Sequence, residues 1–308
     1  MGDLVAIIVL NRNQTGYTRD CLASLRANEY RDTRILVVDN DSSEDSLLND
    51  SLLNVAGEFP EVEFLYLQEN RGVAGGRNAG LRQVLAWRPQ YVLFLDNDTF
   101  VAPDFLSHLV ARMRSDPRVG AVQPKIYYET PPNRICSVGG KFYPRISHYR
   151  HPGSGRYDSL EFEHASEVDI LAGCASLMRA EVFARVGLLD ETYSPYCHED
   201  VDWSLRVSQA GFRLMVEPAA KVWHRISSQP RSNPMKLREL AKGHILFLRF
   251  HTRRSDLPLS VAWVSFYLLR RFFLPAVGSR EWRSLVAVCQ GLRDGFRQKP
   301  LPIEMIPS

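Results

Sequence analysis

The stretch QYVLFLDNDTFV, residues 90–101, is apolar from Tyr91 to Leu95. It then breaks into Asp96, Asn97 and Asp98 before turning apolar again. A short apolar run bounded by polar residues suits a strand buried on both faces. In a strand, residues i and i+2 point to the same side, so Asp96 and Asp98 are placed to act on one object. Two carboxylates together at neutral pH repel unless a cation or donors offset them. Mg²⁺ or Mn²⁺ meets that need, because such hard cations are held by one or two carboxylates plus substrate phosphates. The alternative is a solvated turn in which Asp98 caps a helix starting near Pro103.

Outward from this stretch the same pattern recurs. Leu4–Leu10, Ile35–Val38 and Val62–Leu67 are further apolar runs, and Tyr17–Arg26 and Ala74–Trp87 between them have helical periodicity. Strand alternating with helix predicts an α/β fold with a Rossmann-like, mostly parallel central sheet flanked by helices. Ligands bind beyond the carboxyl ends of such strands. The polar segments cluster there: Asn11-Arg12, DNDSSED (39–45), ENRGVAGGRNAG (69–80) and DND (96–98). From about 117 to 224 the runs are shorter and include an apolar stretch, Val168–Leu177, read as a second half of the same domain. In the last part, Leu237, Leu240, Ala241, Ile245 and Leu248 fall at helical spacing. So do Trp282, Leu285, Val286, Cys289, Leu292 and Phe296.

The charge is unevenly distributed. Residues 1–224 carry a net −7 and residues 225–308 a net +10, giving +3 for the 308-residue chain. A basic tail on an acidic body predicts an anionic partner for the tail, either a membrane surface or nucleic acid. The five cysteines are scattered and form no C-x-x-C pair, which argues against a disulfide framework and a thiolate zinc site. The N-terminal apolar stretch is too short for a signal peptide, and MGDLVA lacks the Ser or Thr of a myristoylation signal. The expected location is the cytoplasm.

Other rim segments narrow the chemistry. DNDSSED fails as an EF-hand because Glu44 stands where the turn glycine belongs. Asp39 ends a buried strand and is placed to accept hydrogen bonds from a base or ribose; the alternative is an N-cap, which Ser42, Ser43 or Asp45 would supply equally well. NRGVAGGRNAG is a glycine-rich turn entering a helix, with Arg77 as a fork-shaped donor. It does not follow the first strand, so a dinucleotide fingerprint is absent while a nucleoside-diphosphate site stays open. In SPYCHEDVDWSLR, residues 194–206, Glu199 is explained as an acid offsetting the helix dipole, and Asp202 as a surface partner of Arg206 four residues on. Asp200 lies on another helical face and is the candidate general base. His224 reads either as a core-edge histidine or as a metal ligand.

Taken in order, VVDNDSSED, ENRGVAGGRNAG, FLDNDTFV, AGCASLMRAEVFARVGLLDE, YCHEDVDWSLRVSQAGFRL and VWH resemble the inverting family 2 glycosyltransferases of GT-A fold, close to rhamnosyltransferase-like members. The resemblance covers about residues 4–224. It implies a glycosyltransferase domain over 1–224, with a nucleotide-binding half (1–100) and an acceptor half (101–224). It assigns Asp39 to the nucleotide base, Arg77 to the nucleotide, Asp96 and Asp98 to ribose and a divalent cation, Asp200 to catalysis as base, and His224 to the metal. Asn11 and Arg12 join the expected nucleotide-sugar site from their place on the rim. The implied donor is dTDP-rhamnose or a UDP-sugar, and the implied acceptor a glycan or lipid-linked saccharide in cell-surface polysaccharide synthesis. The departure from close rhamnosyltransferase-like members is Arg77-Asn78, where other residues are frequent.

Residues 225–308 predict a basic amphipathic helical region. Leu257–Leu269 is uncharged for 13 residues and then meets Arg270-Arg271. That is short of the roughly 20 apolar residues a span needs. An interfacial helix fits better, with Trp263, Phe266, Tyr267, Phe272 and Phe273 inserted and arginines on anionic headgroups. The expected arrangement is peripheral, on the inner face of the cytoplasmic membrane through 236–297. The alternative is a helical subdomain that packs on the core or forms a homodimer. Nucleic acid is not expected, because no base-stacking module appears. Two other functions compete: a sugar-1-phosphate nucleotidyltransferase, and a non-catalytic sugar-nucleotide sensor.

Overall fold

The structure is a computed structural model that describes residues 3–42, 52–195, 197–225, 233–270, 274 and 282–306. Ser43 and Asp45 as caps, and Arg271, Phe272 and Phe273 as membrane contacts, lie outside the described residues. Four parallel strands, β1 (Val5–Asn11), β2 (Thr33–Asp39), β3 (Glu63–Tyr66) and β4 (Tyr91–Asp96), form one half of the central sheet in the order β4-β1-β2-β3. Each lies within about two residues of the run expected from sequence. The other half is mixed. β11 (Ala175–Arg179) runs antiparallel between β4 and β6 (Val119–Tyr128), β12 (Arg213–His224) lies parallel to β6, and β10 (Ser166–Val168) forms the edge. Two short strands, β5 (Thr99–Val101) and β7 (Ile135–Ser137), pair with β12 and β6. β8 (Lys141–Tyr143) and β9 (His148–Arg150) make a separate hairpin.

The apolar runs are continuous because both faces of the sheet are covered. In β1, Val5, Ile7 and Val9 enter one core with helices α1 (Thr15–Arg26), α2 (Leu52–Glu58) and α4 (Phe105–Ser115). Ala6 and Ile8 enter the opposite core with α3 (Gly72–Leu85), α5 (Ala180–Val186) and α6 (Glu199–Gln209). Burying each such Val, Ile or Leu stabilises the fold by about 1.5–3 kcal/mol. The glycines of the 70–80 turn serve this packing. A Cβ on Gly80 would sit 2.9 Å from both Ile8 and Val38, so glycine lets α3 lie close on the sheet. The Gly72 amide meets the Asn70 side chain and the Val73 amide meets the Pro195 carbonyl. The cradle anticipated for an anion is thus partly used by the protein itself.

The structure details three segments. The apolar stretch Val168–Leu177 runs from the end of β10 through a loop into the start of β11. The amides of Leu171, Ala172 and Gly173 leave the ladder for the side chains of Ser204, Gln123 and Asp200. Asp98 does not cap the next helix, whose N-cap is Asp104. The last helix, α9 (Trp282–Arg297), buries a different face from the one its large apolar residues suggest. Ser284, Leu285, Ala287, Val288, Gly291 and Gly295 are buried, while Trp282, Val286 and Phe296 are exposed. The reason is backbone proximity to α7 (Pro234–His251): a Cβ on Gly291 would come within 2.1 Å of the Arg238 carbonyl oxygen. Helix α7 itself packs Leu246 and Phe247 against Ile170, Tyr193, Val201 and Leu205. Helix α8 (Leu257–Leu268) rests on α7 through Val264, Leu268 and Leu248, and Ser260 Oγ donates to the Arg145 carbonyl beside the β8–β9 hairpin.

Candidate active site

Strand register gathers the rim. Asn11, the last residue of β1, stands opposite Asp39 of β2, and Leu10 stands opposite Asp96 of β4. Asn11 Nδ2 donates to Asp39 Oδ1 at 2.8 Å, and its Oδ1 accepts from Thr18 Oγ1 at 2.8 Å and Asn97 Nδ2 at 3.0 Å. Asn97 is therefore turned into the protein, while Asp96 and Asp98 stay partly exposed on either side of it. Asn11 is buried and braces Asp39, whereas Arg12 is exposed beyond the strand end.

Asp98 meets the far end of the sheet. Thr99 pairs with His224, the final residue of β12, and the Arg225 amide donates to the Asp98 carbonyl. His224 Nε2 lies 3.1 Å from Asp98 Oδ1. Burial disfavours a charged ring there, but Cys174 and the hydrogen bond to Asp98 outweigh it and hold the imidazole's pKa above its ordinary range. Asp96, Asp98 and His224 each offer one ligand atom, all within 4.8 Å of one another. Two carboxylates and one imidazole, partly buried and open on the rim side, fit a divalent cation that takes its remaining ligands from phosphate oxygens.

A second acidic group faces the first across Arg77. Arg77 is 3% exposed, and its guanidinium donates to Asp96 Oδ1 at 2.6 Å and lies 3.9 Å from Glu199 Oε1. Expected to reach a nucleotide, Arg77 here braces the carboxylates of both groups. Glu199 is buried and its Oε2 has no hydrogen-bond partner among the described residues. Burial, then the neighbouring Asp200, push its pKa up to about 7, against the opposing pull of Arg77. Asp200 Oδ2 accepts from the Gly173 amide at 3.0 Å, fixing it beside Arg77, which shares a cavity wall with it. The two residues before α6, Cys197 and His198, have φ of +86° and +75°, a conformation that costs energy and bends the chain into this helix start.

Asp202 is no surface residue. It is buried between Arg206 Nε at 2.8 Å and His251 Nε2 at 2.9 Å, so it ties α6 to α7. Sequence reasoning assigned Glu199 to the helix dipole and missed both its burial and its place beside Arg77. Its position immediately before Asp200 within the HEDVDW stretch was the available signal.

The geometry joins an α/β sheet rim to an acidic, cation-suited centre. The sequence matches Glycosyl transferase family 2 over residues 5–187, more than half of the chain, and the chain belongs to that family. Poly-beta-1,6-N-acetyl-D-glucosamine synthase of Staphylococcus aureus (strain MSSA476) is 28% identical over 214 residues, covering 68% of this chain and 47% of that protein. Pre-mycofactocin glycosyltransferase of Mycobacterium tuberculosis (strain CDC 1551 / Oshkosh) is 29% identical over 231 residues, covering 74% of this chain and 44% of that protein. The chain spans a little under half the length of these relatives. Among solved structures, GalNAc-T7 with UDP, GalNAc and Mn²⁺ superposes with a TM-score of 0.65 at 15% identity, covering 96% of this chain and 56% of that one. Mannosyltransferase PcManGT from Pyrobaculum calidifontis, in complex with GDP-Man and Mn²⁺, gives 0.59 at 16% identity, covering 96% and 87%. At such identities the likeness is one of fold, and the fold is GT-A.

Proposed function

We propose that this chain is a divalent-metal-dependent, inverting glycosyltransferase that moves a sugar from a nucleoside-diphosphate sugar to a hydroxyl of a glycan or lipid-linked acceptor. The observation that carries this reading is the convergence of Asp96, Asp98 and His224 on one point, with Asp200 held across Arg77. Asp39, braced by Asn11, accepts from the imide N–H of a uracil or thymine base, which favours a UDP- or dTDP-sugar. Arg12 is exposed and free to approach the donor's phosphates. Bound at Asp96, Asp98 and His224, Mg²⁺ or Mn²⁺ supplies Lewis-acid stabilisation of the departing diphosphate. Asp200 takes the proton of the acceptor hydroxyl as that oxygen bonds to the anomeric carbon. The bond from that carbon to the diphosphate breaks, and the nucleoside diphosphate leaves with the electron pair. One displacement inverts the anomeric centre.

The acceptor side favours a membrane-associated substrate. Helix α8 exposes Leu257, Leu259, Val261, Phe266 and Leu269, with Arg253, Arg254 and Arg270 at its ends. An apolar helix face with basic flanks suits an anionic membrane surface. Among the described residues no helix is long and apolar enough to cross a membrane.

The test is nucleoside-diphosphate release from UDP-, dTDP- and GDP-sugars, with and without Mn²⁺, in the presence of membrane lipid and glycan extracts. Mn²⁺-dependent release from one donor, with an inverted linkage in the product, is the expected result. Pyrophosphate among the products would instead indicate a nucleotidyltransferase. Binding without turnover, in a chain whose Asp200→Asn variant behaves identically, would indicate a sensor.

A further inference from the structure

Between β9 and α8 lies a groove of about 450 Å³ lined by His148, Arg150, Trp263, Phe266, Tyr267 and Arg270. Its walls are aromatic: the His148 ring lies 5.5 Å from Trp263 and 5.1 Å from Tyr267. Its cations carry no carboxylate partner among the described residues: Arg150 lies over the Tyr143 ring at 5.9 Å, and Arg270 is exposed at the end of α8. Trp263 Nε1–H is buried with no acceptor among the described residues, a donor that an incoming oxygen would satisfy. Burial, with His244 and Arg150 nearby, pulls the His148 pKa down to about 4, so its ring is neutral at neutral pH and adds no positive charge to the groove.

The groove adjoins the catalytic side. Tyr149, between His148 and Arg150 on the same strand, packs on His198 and Phe247 and feels the charge of Asp200 and the neighbouring Tyr267. Tyr149 thus connects the groove's strand to His198, two residues before Asp200. On its outer side the groove continues into the exposed apolar face of α8, through Phe266 and Leu269. The sequence is cationic rim, aromatic wall and apolar helix face. That order matches a molecule with an anionic phosphate between a saccharide and a hydrocarbon chain.

We infer that this groove is the acceptor subsite for a lipid-linked saccharide phosphate, with Arg150 and Arg270 on the phosphate oxygens and the lipid lying along α8. The inference rests on the glycosyltransferase reading and adds the acceptor's chemical class. Its saccharide end then extends past Tyr149 toward Asp200.

Calorimetric titration of the full chain with farnesyl diphosphate, farnesol and inorganic pyrophosphate tests it. Farnesyl diphosphate is expected to bind at least about tenfold more tightly than either of the others, and Arg150→Gln with Arg270→Gln to weaken it by about a hundredfold. Trp263→Phe, which keeps the ring wall and removes the N–H, gives a smaller loss. Pyrophosphate binding as well as farnesyl diphosphate would overturn the lipid, and farnesol binding as well would overturn the phosphate. An unchanged double variant would overturn the site. Mn²⁺-dependent nucleotide binding, measured on the same samples, separates the two claims. If it persists while farnesyl diphosphate fails to bind, the groove assignment falls and the transferase reading stands. If it is absent in the wild type, the transferase reading falls.

Discussion

Asp96-Asn97-Asp98 and Glu199-Asp200-Val201-Asp202 are similar strings of acid, yet the fold gives them opposite surroundings. The first ends a strand, so the alternation of side chains sends Asn97 inward and leaves two carboxylates facing His224 on an open rim. The second starts a helix, where successive residues fan out by about 100°. Its three acids consequently acquire three environments: Glu199 buried against Arg77, Asp200 on the Gly173 amide, and Asp202 locked between Arg206 and His251. A strand end concentrates charge for a shared ligand, while a helix start distributes it among separate tasks. Arg77 joins the two groups structurally, through Asp96 on one side and Glu199 on the other.

That contrast predicts separable mutational effects. Asp200→Asn should lower turnover by about a thousandfold, the scale of a lost general base, and leave donor affinity close to wild type; steady-state kinetics with parallel calorimetry decide. Asp202→Ala should act on stability instead. It strips His251 of its carboxylate and leaves Arg206 with the Val186 and Leu188 carbonyls, costing about 3 kcal/mol as a broken buried pair, visible as a lower thermal midpoint with donor affinity retained.

Glu199 predicts a pH dependence. Its folded pKa of about 7 stands above the ordinary 4.5, so the folded chain holds a proton that the unfolded chain has released. The associated stability is fully present below the unfolded value and is lost as pH rises through the folded one. The shift corresponds to roughly 3 kcal/mol at most. Glu199→Gln should flatten the fall in stability between about pH 4.5 and about pH 7, as read from denaturant midpoints. The smallest effect expected is that of His224→Ala, about tenfold in Mn²⁺ affinity with two carboxylates still present, measured by titration of the metal against the donor complex.

Much of the first acidic group was legible in the sequence, because strand periodicity and strand ends are local properties. Asp39, Asp96 and Asp98 follow from where apolar runs stop. The second group was less legible. Glu199 looks like any acid in a first helical turn until Arg77, more than a hundred residues earlier in the chain, is folded against it. The break in Val168–Leu177 depends on Gln123, Asp200 and Ser204 taking its amides, which no local pattern announces. Helix α9 misled for a different reason. Apolar size marks a buried face only when side chains fill the interface, and here close backbone contact at Gly291 selects the small-residue face.

The central claim is that the two acidic groups divide the work, one holding donor and metal and the other taking the proton. Mn²⁺-dependent binding of the sugar nucleotide, compared by calorimetry in Asp98→Ala and Asp200→Asn, tests it most directly. The account predicts that binding is lost in Asp98→Ala and retained in Asp200→Asn. Retention in Asp98→Ala, or equal loss in both, would contradict it.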